Sequence, residues 1–450
     1  MPKLAYKHYM LGLLTVVAAF NYLDRFVLSL LLEPIKQEFD LSDSQLGLLT
    51  GFAFALFYSL AGIPIARWAD RGNRNAIVAM TTALWSAMVV LSGLVGNYTQ
   101  LLLVRIGVAV GEAGCLPPAQ SLIAEYFDRA ERPRAMSIYW MCGPIAIIIG
   151  YLGGGWLAEY VNWRITFIVM GVPGIALAIL VKLTLREPRL KQISTAVVEH
   201  PSLKAVLNTL WQQRSFRHIA VAFCVAYFFG MGTSVWLPTF FIRSHGMETG
   251  ELGTWLALIW GICGLFGTYL GGVLASHYAT GKEALQMRSV AIIMVLSGLF
   301  YASTYLSSNK YAAFSLLSIG VIIGSLANGP VFSVIQSLVN DRMRSVAIAL
   351  IFLMANLIGF GLGPLAVGVL SDLLTPTFGQ ESLRYTSVLL SPGVLLVANH
   401  YWRAGKTIEE DIREVELIAG SIETEVVMSD SANIRKGDGN SYLVKGSDSV

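Results

Sequence analysis

The chain has 450 residues, 55% of them hydrophobic and only 14% charged, with 43 glycines, a net charge of +3 and a mean hydropathy of +0.60. Its length would allow two or three soluble domains, but this composition describes a polytopic membrane protein and holds no basic surplus for a nucleic-acid partner. Cys115, Cys142, Cys224 and Cys263 all fall within apolar runs, where packing explains them; neither a disulfide framework nor a metal site is suggested.

Residues 1 to 8 lead straight into the first apolar run with no small-residue cleavage site nearby, so the first span is expected to be retained. About 20 residues at a rise of about 1.5 Å cross a hydrocarbon core of about 30 Å. Apolar runs of that size predict an all-α membrane protein of twelve transmembrane helices, at 9 to 32, 44 to 66, 76 to 96, 99 to 123, 134 to 158, 163 to 184, 218 to 242, 251 to 277, 288 to 307, 310 to 338, 344 to 371 and 383 to 402. The polar stretch 185–217 divides them into an amino-terminal six-helix bundle, 1–184, and a carboxyl-terminal one, 218–402, joined by a cytoplasmic linker. After Trp402 comes a cytoplasmic tail, 403–450, with an acidic piece of helical pattern from Lys406 to Ile418 and a polar end expected to be disordered.

Orientation follows from the 32 basic residues. Lys36, Arg164, Arg243, Lys310 and Arg384 fall on one side, Arg25 and Arg105 lie within spans, and all the others share the side of the termini, which places both termini in the cytoplasm. An internal repeat runs through the chain. Arg132-Pro133-Arg134-Ala135-Met136-Ser137-Ile138 opens span five and Arg342-Met343-Arg344-Ser345-Val346-Ala347-Ile348 opens span eleven, 210 residues later, with Gly153 and Gly363 in the same register. Two repeated six-helix halves with a binding site between them are a transporter architecture.

The charges inside spans carry the chemistry. Span one contains Asn21, Asp24 and Arg25, and span four contains Arg105 and Glu112, seven residues apart and so on one helix face. Ionisable groups at membrane depth cost a few kcal/mol each and call for a partner or a watery cavity. Depth makes Asp24 and Arg105 the expected ion pair, and leaves Glu112 deeper, with no basic residue at its own level. A carboxyl that is neutral when dry and ionised when wetted is suited to carry protons. The plainer alternative is that the four charges neutralise one another and hold the bundle together.

Spans seven to twelve have no charge in their central parts and are rich in aromatics, among them Phe228 and Trp236; with Asn356 these are candidate cavity residues, or helix packing. A charged half facing an apolar half suits an amphiphile, with its ionic head near Arg105 and Glu112. In the loop after span two, Asp70 sits among Arg67, Arg71 and Arg74 and is a candidate latch between helix ends, with Arg132, Arg134 or the start of span eleven as partner.

The twelve spans, the repeat and this loop resemble the major facilitator superfamily, whose signature is Gly-x-Leu-Ala-Asp-Arg-x-Gly-Arg-Arg; Asp70, Arg71 and Arg74 match it, while Ala66, Trp68, Asn73 and Asn75 depart from it. Gly143-Pro144 with Gly150, Gly153, Gly154 and Gly155 is similar to the glycine-rich motif of that superfamily's exporters. Asn21-Tyr22-Leu23-Asp24-Arg25, Glu33-Pro34-Ile35-Lys36-Gln37-Glu38-Phe39 and the Val110-Gly111-Glu112-Ala113 core resemble the spinster family, with Ala109 where that family usually has glycine. The resemblance implies a proton-coupled secondary transporter for lysophospholipids or sphingosine-1-phosphate-like lipids. It also implies proton coupling by Asp24 and Glu112, binding or charge relay by Arg105, Arg25 and Asn21, and gating by Asp70, Arg71, Arg74 and Arg134. It further implies a monomer in a bacterial inner membrane whose partners are an amphipathic lipid, protons and the surrounding bilayer, with no cofactor. Two other readings stay open: a carrier of a small organic anion or drug with the same fold, and a sensor or scaffold acting through its acidic tail. No nucleophile with a base, metal cluster or phosphate loop points to an enzyme.

Overall fold

The computed structural model describes residues 3–128, 130–188, 203–338 and 344–438, and these are helical apart from short turns. Ten segments are single crossings: Ala5–Phe39, Asp43–Ala69, Arg74–Ser92, Tyr98–Tyr126, Arg132–Tyr160, Trp163–Thr184, Arg214–His245, Thr249–Tyr278, Glu283–Leu306 and Lys310–Ser337. The next apolar stretch, Leu350–Glu414, has 65 residues. At about 1.5 Å per residue it would extend about 100 Å, three times a hydrocarbon core, so it contains two crossings. Its break falls at Gly379, whose φ of 55° suits glycine and ends the helix Gly361–Phe378.

Four spans start on an asparagine in the same way. The side-chain oxygens of Asn73, Asn97, Asn162 and Asn309 accept from the backbone N–H three residues on, at 3.0, 2.9, 2.9 and 3.1 Å, closing helix ends that would otherwise leave amides unpaired. Asn73 therefore has a job that the glycine of the superfamily signature could not do with a side chain. The last helix, Gly393–Asp438, continues past the acidic piece into part of the tail expected to be disordered. Its Asp411 carboxylate accepts from Ser215 N at 2.7 Å, tying the start of the tail to the start of span seven.

Each bundle has its own apolar core, and a third cluster joins them, bringing Leu30 and Tyr151 of the first bundle against Leu237, Phe240, Phe241 and Leu256 of the second. Contacts between bundles concentrate from mid-span to the end away from the chain termini, where span two packs on span eleven and span five on span eight. These four spans share a feature. Each contains a π-helical segment, Leu48–Phe52, Ile149–Gly153, Ala257–Cys263 and Ala355–Phe360, where the widened turn shifts the face that meets the partner. Close approach depends on glycine: a Cβ on Gly51 would lie 2.6 Å from Gly361 O, and one on Gly155 would run into Thr249 O.

Candidate functional site

Span four is built to break at Glu112. The helix Tyr98–Glu112 stops there and resumes at Leu116, because Pro117 and Pro118 supply no N–H to carry the ladder through. Gly111 and Gly114 let this segment press against Trp85 and Thr81 of span three. The Glu112 carbonyl, left near the break, accepts from Asn21 Nδ2 at 3.5 Å and from Cys115 N at 3.2 Å. Glu112 and Asn21 are fully buried.

The four charges form two pairs between spans one and four. Arg105 Nη1 donates to Asp24 Oδ2, the pairing their depths demand. Glu112 also has a cation, which corrects the sequence expectation: Arg25 donates to its Oε2 from Nη2 at 2.5 Å and from Nε at 3.1 Å. The reason is the direction of the side chains. Cβ atoms tilt toward a helix's own amino terminus, and spans one and four run in opposite directions, so the long Arg25 side chain and the Glu112 side chain lean toward each other along the axis. Asp24 and Arg25 project about 100° apart and so take separate partners on the same neighbour.

Aromatic rings enclose the cations. The Arg25 guanidinium lies 4.6 Å from the ring centre of Phe54, 5.1 Å from Tyr22, 5.6 Å from Tyr58 and 5.7 Å from Phe360; that of Arg105 lies 4.5 Å from the same Phe54 ring. Such contacts are worth about 0.5 to 2 kcal/mol, more where water is excluded. The site is also under-satisfied. Asn21 Oδ1, Asp24 Oδ1, Arg105 Nε and Glu112 Oε1 are buried without a hydrogen-bond partner, and the Asp24 and Glu112 carboxyl groups interact with each other as neighbours. Unpaired buried polar atoms are rare and cost about 1 to 3 kcal/mol each, so a cluster of them weakens the bundle.

The second bundle has a half-open cavity of about 160 Å³, between spans seven, eight, nine and twelve. Phe229, Leu237, Trp260, Met294 and Val394 give it apolar walls, and Thr233, Ser234, Ser297, Ser387 and the tyrosines 301 and 305 give it scattered polar groups. The residues expected to line a cavity between the bundles do not line this one. Trp236 is buried and its Nε1 donates to Pro364 O at 2.9 Å, fastening span seven to span eleven. Asn356 donates back to Phe352 O of its own helix at 2.8 Å, and Phe228 stacks edge-on against Phe229, which takes the cavity position instead.

The loop residues also separate. Arg74 is buried and works inside the first bundle: its N and guanidinium donate to Glu187 at the start of the linker, its Nη1 to Ser121 at 2.8 Å and its Nη2 to Glu125 at 2.5 Å. Arg71 and Arg134 are exposed, and the Asp70 side chain lies outside the described residues. Among the described residues, the ion pairs between bundles are at the opposite end. Arg243 donates to Glu33 at 2.7 Å and to both oxygens of Asp43 at 2.8 Å, while Lys36 and Ser371 also reach Asp43. Asp372 of span eleven accepts from the backbone N–H of Asp43 and Ser44 at 2.9 and 2.8 Å, capping span two from the other bundle.

The model of the Major Facilitator Superfamily matches residues 14–364. The chain belongs to that superfamily. Its relatives include an MFS-type efflux pump of Mycolicibacterium smegmatis, 33% identical over 90% of this chain and 94% of that one, and protein spinster homolog 1 of Xenopus laevis, 25% identical over 89% and 80%. A crystal structure of a bacterial homologue of the human lysosomal transporter spinster, in an inward-facing and unoccupied conformation, superposes with a TM-score of 0.82 at 30% identity, covering 90% of this chain and 98% of that one. A multi-pass membrane transporter of spinster-like kind is thus the common ground of sequence, fold and relatives.

Proposed function

We propose that this transporter moves an amphipathic, anionic single-chain lipid, of the lysophospholipid or sphingoid-phosphate class, by alternating access coupled to protons. The observation that supports this best is the division of labour between the bundles: paired but under-satisfied charges in the first, an apolar cavity with a few hydroxyls in the second. Arg105 and Arg25 are the cations for the headgroup, Asp24 and Glu112 the carboxyls that hold the proton, and Asn21 fixes the Glu112 segment. The Glu33, Asp43, Arg243 and Asp372 network closes the end away from the termini. With both termini cytoplasmic in a bacterial plasma membrane, that end is external, and release of the network is the step that exposes the site outward. Asp70, Arg71 and Arg134 stand at the other end, where they serve as gate residues when the bundles close there; Arg74 holds the linker. A monomer contains all of these parts.

The cargo is tested by competition on purified protein. A labelled lysophospholipid is expected to bind and to be displaced by sphingoid phosphate but not by a short-chain organic anion. Binding of a labelled short-chain organic anion, with no binding of the lysophospholipid, supports instead the carriage of small anions or drugs.

A further inference from the structure

Of the four rings around Arg25, three stand on spans one and two; the fourth, Phe360, comes from the second bundle. Phe360 also meets Phe54, the ring shared by both cations, at a centroid distance of 5.8 Å and 68° between planes. It is the last residue of the π-helical segment of span eleven. Backbone on both sides of it is held at close range: a Cβ on Gly51 would lie 3.2 Å from Phe360 O and 2.6 Å from Gly361 O, and Gly359 leaves room for Tyr227 of span seven. The ring therefore moves with span eleven relative to span two. The internal repeat singles it out further. At the offset of 210 the first bundle has Gly150, where a Cβ would already lie 3.0 Å from Phe26 Cβ, so span five presses its backbone on span one where span eleven extends a ring.

We propose that Phe360 is the positioning residue through which the proton state of Glu112 is felt by the second bundle. The inference rests on the proposed proton role of Glu112. When that carboxylate is ionised it neutralises Arg25 directly. When it takes a proton, the Arg25 charge loses its anion and leans more heavily on the ring faces around it, Phe360 included, which favours the arrangement in which span eleven lies against span two. The other titratable groups facing this pair are Asp24 and Tyr22 on the same helix, Arg105 and Cys115 on span four and Tyr58 on span two, with Tyr139 and Cys142 of span five next to Tyr22 and Cys115; span eleven meets it with an uncharged ring. A cation on an aromatic face in a dry site is strong enough to change a two-state balance severalfold.

The test places spectroscopic labels on the two bundles at the end bearing the termini, follows their separation against pH in nanodiscs, and measures gradient-driven lysolipid transport in parallel, for wild type, Phe360→Leu, Phe360→Tyr and Glu112→Gln. Phe360→Leu is expected to bind lysolipid within twofold of wild type, to lose about tenfold of the pH-driven change in the equilibrium between separations, and to lose gradient-driven transport with it. Phe360→Tyr, which keeps the ring face, restores both. A wild-type pH response in Phe360→Leu overturns the inference alone, provided that Glu112→Gln has lost it. Identical responses in wild type and Glu112→Gln overturn the proton role of Glu112, and this inference with it.

Discussion

The two bundles are copies in backbone and opposites in chemistry. At the offset of 210, Asp24 and Arg25 of the first bundle correspond to Ser234 and Val235 of the second, Ser234 lines the apolar cavity, and span ten, Lys310–Ser337, carries no charged residue after Lys310 where span four carries Arg105 and Glu112. The shared glycines, Gly51 with Gly261 and Gly153 with Gly363, keep the backbones alike at the interface. One pair of equivalent positions has been given opposite charges: Glu33 and Arg243 stand 210 apart and bond each other across the interface. The lesson is that the repeat fixes where helices cross, while departures from it fix what each half does.

That comparison breaks most sharply at Arg105. Arg105→Met leaves Asp24 buried and unpaired, which is expected to cost about 3 to 5 kcal/mol and a clearly lower Tm by intrinsic-fluorescence unfolding, whereas the double change with Asp24→Asn recovers most of the stability but not transport. Next in size is the reverse experiment, placing the first bundle's charge in the second: Ser234→Asp should destabilise by about 2.5 to 3.5 kcal/mol in the same assay, since no cation waits there. Arg243→Gln removes the bonds to Glu33 and Asp43, and distance measurements between labels at that end should show the separated arrangement gaining about tenfold, in the range of ordinary couplings between sites. The smallest effect sharpens the sameness of the halves: Asn97→Ala and Asn309→Ala should each cost about 1 kcal/mol, equally in either bundle, because both remove one cap.

Much of this was legible in the chain. Uninterrupted apolar length gives the spans, and the depth of Asp24 and Arg105 gives their pair. The Glu112 partner was not read, because depth was counted at Cα and not along side chains that lean toward each other. The network at the end away from the termini was missed for a different reason: Asp43, Arg243 and Asp372 sit at span ends, where a charge is the ordinary solvated residue. The signal that would have found it is the opposite charge of Glu33 and Arg243 at the repeat offset. Phe54 had no signal in its apolar run, and Phe360 stood only as one of the many aromatics of the second half, since only the packing of two bundles makes them neighbours of a cation. Trp236 was open to either a cavity or a packing role in the sequence, since an apolar run does not show that its N–H reaches the Pro364 carbonyl of span eleven.

The most direct test of the account is lysolipid transport into proteoliposomes under an imposed pH gradient, wild type against Glu112→Gln. The amide keeps shape and hydrogen bonding but cannot titrate. The account predicts gradient-driven transport by the wild type, its loss by at least tenfold in Glu112→Gln, and lysolipid binding retained. Equal transport by both proteins would contradict the role of Glu112 as a proton carrier.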